Sequence, residues 1–267
     1  MTDITYTQQF YLCAVNSKGK FPWGNEAASR CLLAGATLEL LDSGVITLDV
    51  EGTLGVACAW GDWTVSRPLG GAAAYEVLTD VAVEPAATGE PGAYLQPLYD
   101  TIAGFAKPTG LDGLAQVYLY GLDTDPQALL VQYIGASLWE MECADAVPGD
   151  NPAKQRYAPR GDATLTVVGK IRAEVLEADA PAVGPLTLAY LLNRAGIARD
   201  CVGKPDAARL KARLEEVRRG APTSPTRAAL DRIDRVVVGM HPGSVRVTSL
   251  TRELIDAVDH TRVPTYA

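Results

Sequence analysis

The sequence predicts a mainly α-helical domain with a few short β-hairpins, taking in the whole of residues 1–267. Three observations lead there. Apolar residues recur mostly at helical spacing, and the strand-like runs between them are short. Two stretches, "ELLDSGVITLDV" and "QYIGASLWEMEC", each read as helix, small-residue turn and strand, an echo of a winged-helix-like unit. A length of 267 residues, with 48% hydrophobic and 21% charged side chains, suits a soluble chain that buries a sizeable core.

Taken in order, residues 8–15 are apolar enough for a first helix or strand, and "NSKGKF" turns the chain. Asn25 before Glu26 is a good N-cap. Leu32, Leu33, Ala36, Leu40 and Leu41 then recur at helical spacing, and Ser43-Gly44 ends the helix with a left-handed glycine. "VITLDV" reads as a strand. Residues 51–77 hold short β-like pieces broken by Gly and Pro, residues 81–84 are another strand, and "PAATGEPG" is a loop. Helices are expected over residues 94–105, stopped by Lys107-Pro108, and over 111–120. Asp125-Pro126 opens the next helix, with Leu129, Leu130, Tyr133 and Ile134 as its apolar face. "GAS" closes that helix and "LWEMEC" continues as a strand. Residues 144–161 read as a polar loop with basic side chains in "AKQRYAPR". Helices follow over 164–176, 184–195, 205–218 and 228–237, with "RGAPTSPTR" as a loop and "GMHPGS" as a break. Residues 250–258 read as a last helix before a loose tail.

Composition and motifs exclude several function classes. The net charge of -8 argues against nucleic acid, whose phosphates demand a basic excess. Five cysteines, Cys13, Cys31, Cys58, Cys143 and Cys201, have no C-x-x-C spacing; Cys13, Cys31 and Cys58 lie among apolar residues and read as buried, reduced thiols. With two histidines, His241 and His260, there is no H-E-x-x-H. A G-x-S-x-G elbow and a Walker loop are also missing, "VVGKIR" lacking both the upstream glycine and the hydroxyl. Carboxylates in "DRIDRV" and "LEEVRR" have basic partners nearby on the helix, as solvated faces do. No catalytic residue, metal ligand or cofactor is therefore expected, and the chain reads as a non-enzyme. Trp60 and Trp63, beside Gly61 and Asp62, form either a ligand-facing loop or a hairpin packed on the core. The first residues, "MTDITYTQQF", carry no secretory leader, and no apolar run reaches the roughly 18 residues of a spanning helix. Both point to the cytoplasm.

Several stretches together resemble the Golgi phosphoprotein 3 family, whose bacterial members are common in actinobacteria. They are "FYLCAVNSKGKF", "RCLLAGATLELLDSGVITLD", "VAVEPAATGEPGAYLQPLYDTI", "ALLVQYIGASLWEMEC" and "PLTLAYLLNRAGI". They keep the family's order over roughly residues 9–204; residues 53–77 look like an insertion, and the part from 220 to 267 matches poorly. The resemblance implies a single, mostly helical domain with a small hairpin. It also implies a peripheral membrane adaptor that binds phosphatidylinositol 4-phosphate at the membrane surface through a tryptophan and several arginines.

Carried over by position, Trp23 stands one place from the family's tryptophan. The family's first arginine falls at Leu33, with Arg30 one turn earlier on a similar helical face. Its second basic pair falls near Asp123 and Pro126, and no Lys or Arg occurs between Lys107 and Lys154. The membrane-facing hairpin corresponds to residues 144–161, polar here. The lipid head-group residues are accordingly Trp23, Arg30, Lys154, Arg156 and Arg160, with an anionic membrane lipid at the inner face of the membrane as the partner. The alternative is a soluble protein-interaction module that has lost the lipid and binds a protein. An enzyme with a spatially assembled site and a winged-helix DNA regulator rank below both.

Overall fold

A computed structural model describes residues 4–22, 24–50, 52–61, 91–120, 126–148, 155–221 and 224–241. The protein is mainly helical, with two small antiparallel sheets. Helix α1 (Tyr6–Ala14) begins at a capping box: Gln8 N–H donates to Thr5 Oγ1, and Thr5 N–H to Gln8 Oε1 at 2.9 Å. Helix α2 (Glu26–Asp42) starts at Asn25, whose Oδ1 accepts the Ala28 N–H at 3.1 Å. The Asn25 amide also donates to the Ala195 carbonyl at 3.0 Å. Asn25→Ala therefore removes a cap and a tertiary bond together. It should cost about 1 kcal/mol, at least the usual value of a cap, read as a lower urea midpoint with unchanged slope.

α2 is the centre of the molecule. From Cys31 to Leu41 nearly every side chain is buried, which an all-round apolar helix demands. Its glycine has a packing reason: a Cβ on Gly35 would meet Thr7 Oγ1 at 3.0 Å and Leu191 Cδ1 at 3.2 Å. α2 closes on a left-handed glycine, Gly44 (φ 74), with Val45 N–H returning to the Leu40 carbonyl. Strand β1 (Ile46–Leu48) leaves from there and pairs with β2 (Thr53–Val56), the middle strand of a three-stranded sheet completed by β3 (Thr109–Gly110). The first residues of the segment read as an insertion thus hold the sheet together.

A 3₁₀ turn (Ala93–Leu95) leads into α3 (Gln96–Ala103), followed by α4 (Leu111–Tyr120) and α5 (Pro126–Glu140). Strands β4 (Ala144–Val147) and β5 (Arg156–Pro159) form an antiparallel hairpin with Val147 opposite Arg156. Helix α6 (Gly161–Ile171) runs on into a π turn (Arg172–Leu176). The rest is helical: α7 (Val183–Arg194), α8 (Ala198–Val202), α9 (Lys204–Arg219) and α10 (Pro225–Gly239). Helices α1, α7 and α10 pack on α2. α10 is tied to it by an ion pair between Arg232 and Asp42, both buried, with Tyr6 Oη donating to Asp42 Oδ2 at 3.0 Å.

Several expectations are corrected. "GAS" does not end α5, which continues through Leu138-Trp139 to Glu140, so "LWEMEC" is half helix and half turn and the strand begins at Ala144. Gly135 is a contact residue rather than a turn: its Cβ would lie 2.6 Å from Tyr11 Oη and 2.8 Å from Tyr157 Cδ2. The turn comes later, with Glu142 in the left-handed region (φ 57) and Cys143 N–H bonded to the Leu138 carbonyl, the hydrogen-bond pattern that ends α2. Leu130 and Ile134 face the core, but Leu129 and Tyr133 are 44% and 45% exposed, because the described residues cover α5 on one side only. The polar loop at 144–161 contains the β4–β5 hairpin, and α10 starts at Pro225, inside the segment read as a loop. Cys31 is fully buried, whereas Cys13 and Cys58 are only half-buried. The strand expected at 81–84 and the helix expected at 250–258 lie outside the described residues.

Candidate functional site

The N-terminal turn of α2 is the first quarter to consider. Arg30 lies on its inner side, and its guanidinium meets Glu26 Oε1 at 2.6 Å. Tyr120, the last residue of α4, donates its phenol to the same carboxylate. The Tyr120 hydrogen bond and, after it, the Arg30 charge hold the Glu26 carboxyl below its usual range. The charge of Arg30 is thus answered within its own helix. Glu26 also sets a negative charge against the positive end of α2, where an anionic head group would otherwise dock. Beside this turn, burial pushes the Cys31 thiol up to about 12, as for a structural cysteine. Trp23 lies outside the described residues.

The β4–β5 hairpin is the second quarter. The turn between α1 and α2 is built on Asn16, whose Oδ1 accepts the N–H groups of Lys18 (2.9 Å) and Lys20 (3.0 Å). At its tip Gly19 has φ 65. A Cβ there would meet Arg156 Cβ at 3.0 Å, the Tyr157 carbonyl oxygen at 3.1 Å and Val147 Cγ2 at 3.1 Å. Glycine is needed twice over, for the backbone conformation and for the close approach. The approach seats the turn against the end of the hairpin where Val147 pairs with Arg156, so that exposed Lys18 and Lys20 stand beside exposed Arg156. Among the described residues none of the three forms an ion pair.

At the other end of the hairpin the charge is balanced. Arg160 Nε lies 3.7 Å from Asp162 Oδ1, and its backbone N–H donates to the Cys143 carbonyl next to Glu142. Asp145 is exposed on β4. Of the basic residues singled out in the sequence, Arg156 therefore joins a cationic edge, Arg160 is offset by a neighbouring carboxylate, and Lys154 lies outside the described residues. No contact among the described residues brings Arg30 to Arg156 or Arg160. Lys18 and Lys20 were missed, although the Lys-Gly-Lys of "SKGKF" was in view; what hid them was that their neighbour Arg156 is distant in sequence.

Large apolar side chains are exposed on α5 and α6, the helices on either side of the hairpin in sequence. Trp139, 52% exposed, sits at the end of α5 with its ring centroid 6.4 Å from that of Tyr157 on β5. Leu165, in the turn of α6 that follows Arg160, is 71% exposed. Trp60, by contrast, packs on Tyr99 at 5.3 Å between centroids, and Tyr99 Oη donates to the Cys58 carbonyl at 2.7 Å. Its part of "AWGDW" is packing, while Asp62 and Trp63 lie outside the described residues. No group of His, Cys, Asp or Glu suited to a metal ion occurs among the described residues, and none of their helices is long and apolar enough to cross a membrane.

Compared with known proteins, the chain matches no protein-family model, no curated protein and no solved structure.

Proposed function

We propose that this chain is a non-enzymatic peripheral membrane adaptor of the Golgi phosphoprotein 3-like kind, docking on anionic phospholipid through the end of its β4–β5 hairpin where Val147 pairs with Arg156. The observation that carries the reading is the seating of Lys18 and Lys20 beside Arg156, three cations with no ion pair among the described residues, on a chain of net charge -8. The fold is compatible with it. α2–β1–β2 and α5–β4–β5 each run from a helix through a left-handed turn into an antiparallel hairpin, which supports the winged-helix-like units read from the sequence. The second hairpin falls where the resemblance puts the membrane-facing one.

The energetics favour a surface over a deep pocket. Each basic residue near an anionic bilayer contributes about 1 kcal/mol, so three contribute about a hundredfold in affinity. That is marginal alone, and stable attachment needs a second signal. Trp139 and Leu165 supply apolar area of the kind that settles at a membrane interface. Arg30, held by Glu26, is a minor contributor.

Charge removal tests this. The variant Lys18→Ala, Lys20→Ala, Arg156→Ala should bind anionic vesicles about a hundredfold more weakly in a sedimentation assay, whereas Arg30→Ala should leave binding within twofold. Equal binding by the triple variant and the parent would refute the assignment.

One observation favours a second reading, a soluble protein-interaction module: Leu129 and Tyr133 form an exposed apolar strip along α5, away from the charged edge. On that reading Leu129→Lys abolishes a protein complex and the triple variant has no effect.

A further inference from the structure

Glu39 lies deep in the core, 6% exposed, on the side of α2 that meets α1 and the 3₁₀ turn. Thr7 N–H donates to its Oε1 at 2.9 Å, and the Tyr94 phenol stands 2.5 Å from its Oε2. The same phenol reaches Thr5 Oγ1 at 2.8 Å, the hydroxyl that caps α1. A single carboxyl group thus joins α2, the start of α1 and the 3₁₀ turn. No cationic side chain contacts it among the described residues. The charged and phenolic groups on the surrounding elements are engaged elsewhere: Arg232 of α10 and Tyr6 of α1 with Asp42, Tyr190 of α7 with Asp234, and Tyr120 of α4 with Glu26.

An ionised carboxylate without a counter-charge is very costly in such a place, and the group keeps its proton instead. We infer that Glu39 holds its proton to higher pH than an ordinary carboxyl and acts as a pH-sensitive clasp between α2, α1 and the 3₁₀ turn. The Tyr94 hydroxyl donates to Glu39 Oε2 and meets Thr5 Oγ1 on its other side, so a protonated Glu39 ties the start of α1 to α2 through one phenol with no net charge. Ionisation sends the proton to solvent base and leaves a buried anion that favours opening at the start of α1. Burial is the leading cause of an upward shift of the Glu39 carboxyl, only partly opposed by the hydrogen bonds from Tyr94, Thr5 and Thr7.

The sign follows. With its folded pKa above the unfolded one, Glu39 contributes stability that is fully present below the ordinary carboxylate value of about 4.3. That stability is lost as pH rises through the raised folded pKa. The measurement is the folding equilibrium of the parent and of Glu39→Gln, by urea denaturation from about pH 4.5 to about pH 9. Relative to the glutamine variant, the parent's folding constant is expected to fall tenfold per pH unit until the folded carboxyl ionises, then to level off. The parent alone should also show a protonated-carboxyl C=O stretch in its infrared spectrum that persists to higher pH than those of exposed carboxyls, a readout that stands even if the variant does not fold. Parallel pH curves, a slope of the opposite sign, or a band lost together with those of exposed carboxyls would overturn the inference.

Discussion

Arg232→Ala is expected to destabilise the protein by about 3–5 kcal/mol, the cost of breaking a buried ion pair from one side. Arg232 and Asp42 are 5% and 1% exposed at their side chains, so neither regains water when the other is removed. Asp42 would keep the Tyr6 hydroxyl, but a neutral hydrogen bond does not replace a guanidinium. Against a typical total of 5–15 kcal/mol this is a large fraction, and α10 would detach from α2 first. Replacing the whole network, with Arg232→Met, Asp42→Leu and Tyr6→Phe together, should recover most of the loss, since apolar substitution of a buried pair is often neutral. Urea denaturation of the single and triple variants distinguishes the two cases. A single variant within about 1 kcal/mol of the parent would mean that the pair is not desolvated as the structure has it.

Gly135→Ala is the second large effect, and its sign is opposite to what helix propensity suggests. Alanine in a helix interior is ordinarily worth about 1 kcal/mol over glycine. Here the new methyl would stand 2.6 Å from Tyr11 Oη and 2.8 Å from Tyr157 Cδ2. Neither ring yields easily. Tyr11 is 1% exposed, and its hydroxyl is bonded to the Tyr157 carbonyl at 2.8 Å. Separating α5 from α1 and β5 should cost about 1–3 kcal/mol, the usual range for overpacking. Gly169→Ala is the matched control: nothing lies within 4 Å of its Cβ position, so the helix gains and stability should rise by about 0.5–1 kcal/mol. Thermal melts of the two variants should move in opposite directions.

The helices were legible wherever local chemistry marks them. Asn25 caps α2, Gly44 closes it, Pro126 opens α5, and α4 spans the residues that its apolar spacing predicted. The errors arose where tertiary contact overrides local signals. Gly135 looks like a helix breaker in one dimension but is a notch for two tyrosines in three. Glu142 takes a left-handed turn that glycine usually occupies, so nothing local marked the end of α5. Tyr133 looks like core by spacing, yet no element among the described residues covers the face it shares with Leu129.

The site was less legible than the fold, because it depends on pairs distant in sequence. Arg30 was readable as a basic residue on α2, but the spacing of Glu26 makes their i,i+4 pairing equally readable, and Tyr120 strengthens it from another helix. Arg156 was readable as part of a basic loop; its neighbours Lys18 and Lys20 become visible only when Gly19 is placed against the hairpin. Arg160 is close to Arg156 in sequence and belongs to a different electrostatic setting, beside Asp162.

Vesicle co-flotation at physiological salt tests the central claim most directly. The parent protein is floated with phosphatidylcholine vesicles, and with the same vesicles carrying phosphatidylinositol 4-phosphate, phosphatidylinositol or cardiolipin. The account predicts flotation with the anionic vesicles only, with Trp139 moving to a less polar setting as judged by its fluorescence, and loss of flotation in the Lys18, Lys20, Arg156 variant. Absence of the parent protein from every floated fraction, or flotation that does not depend on anionic lipid, would contradict it.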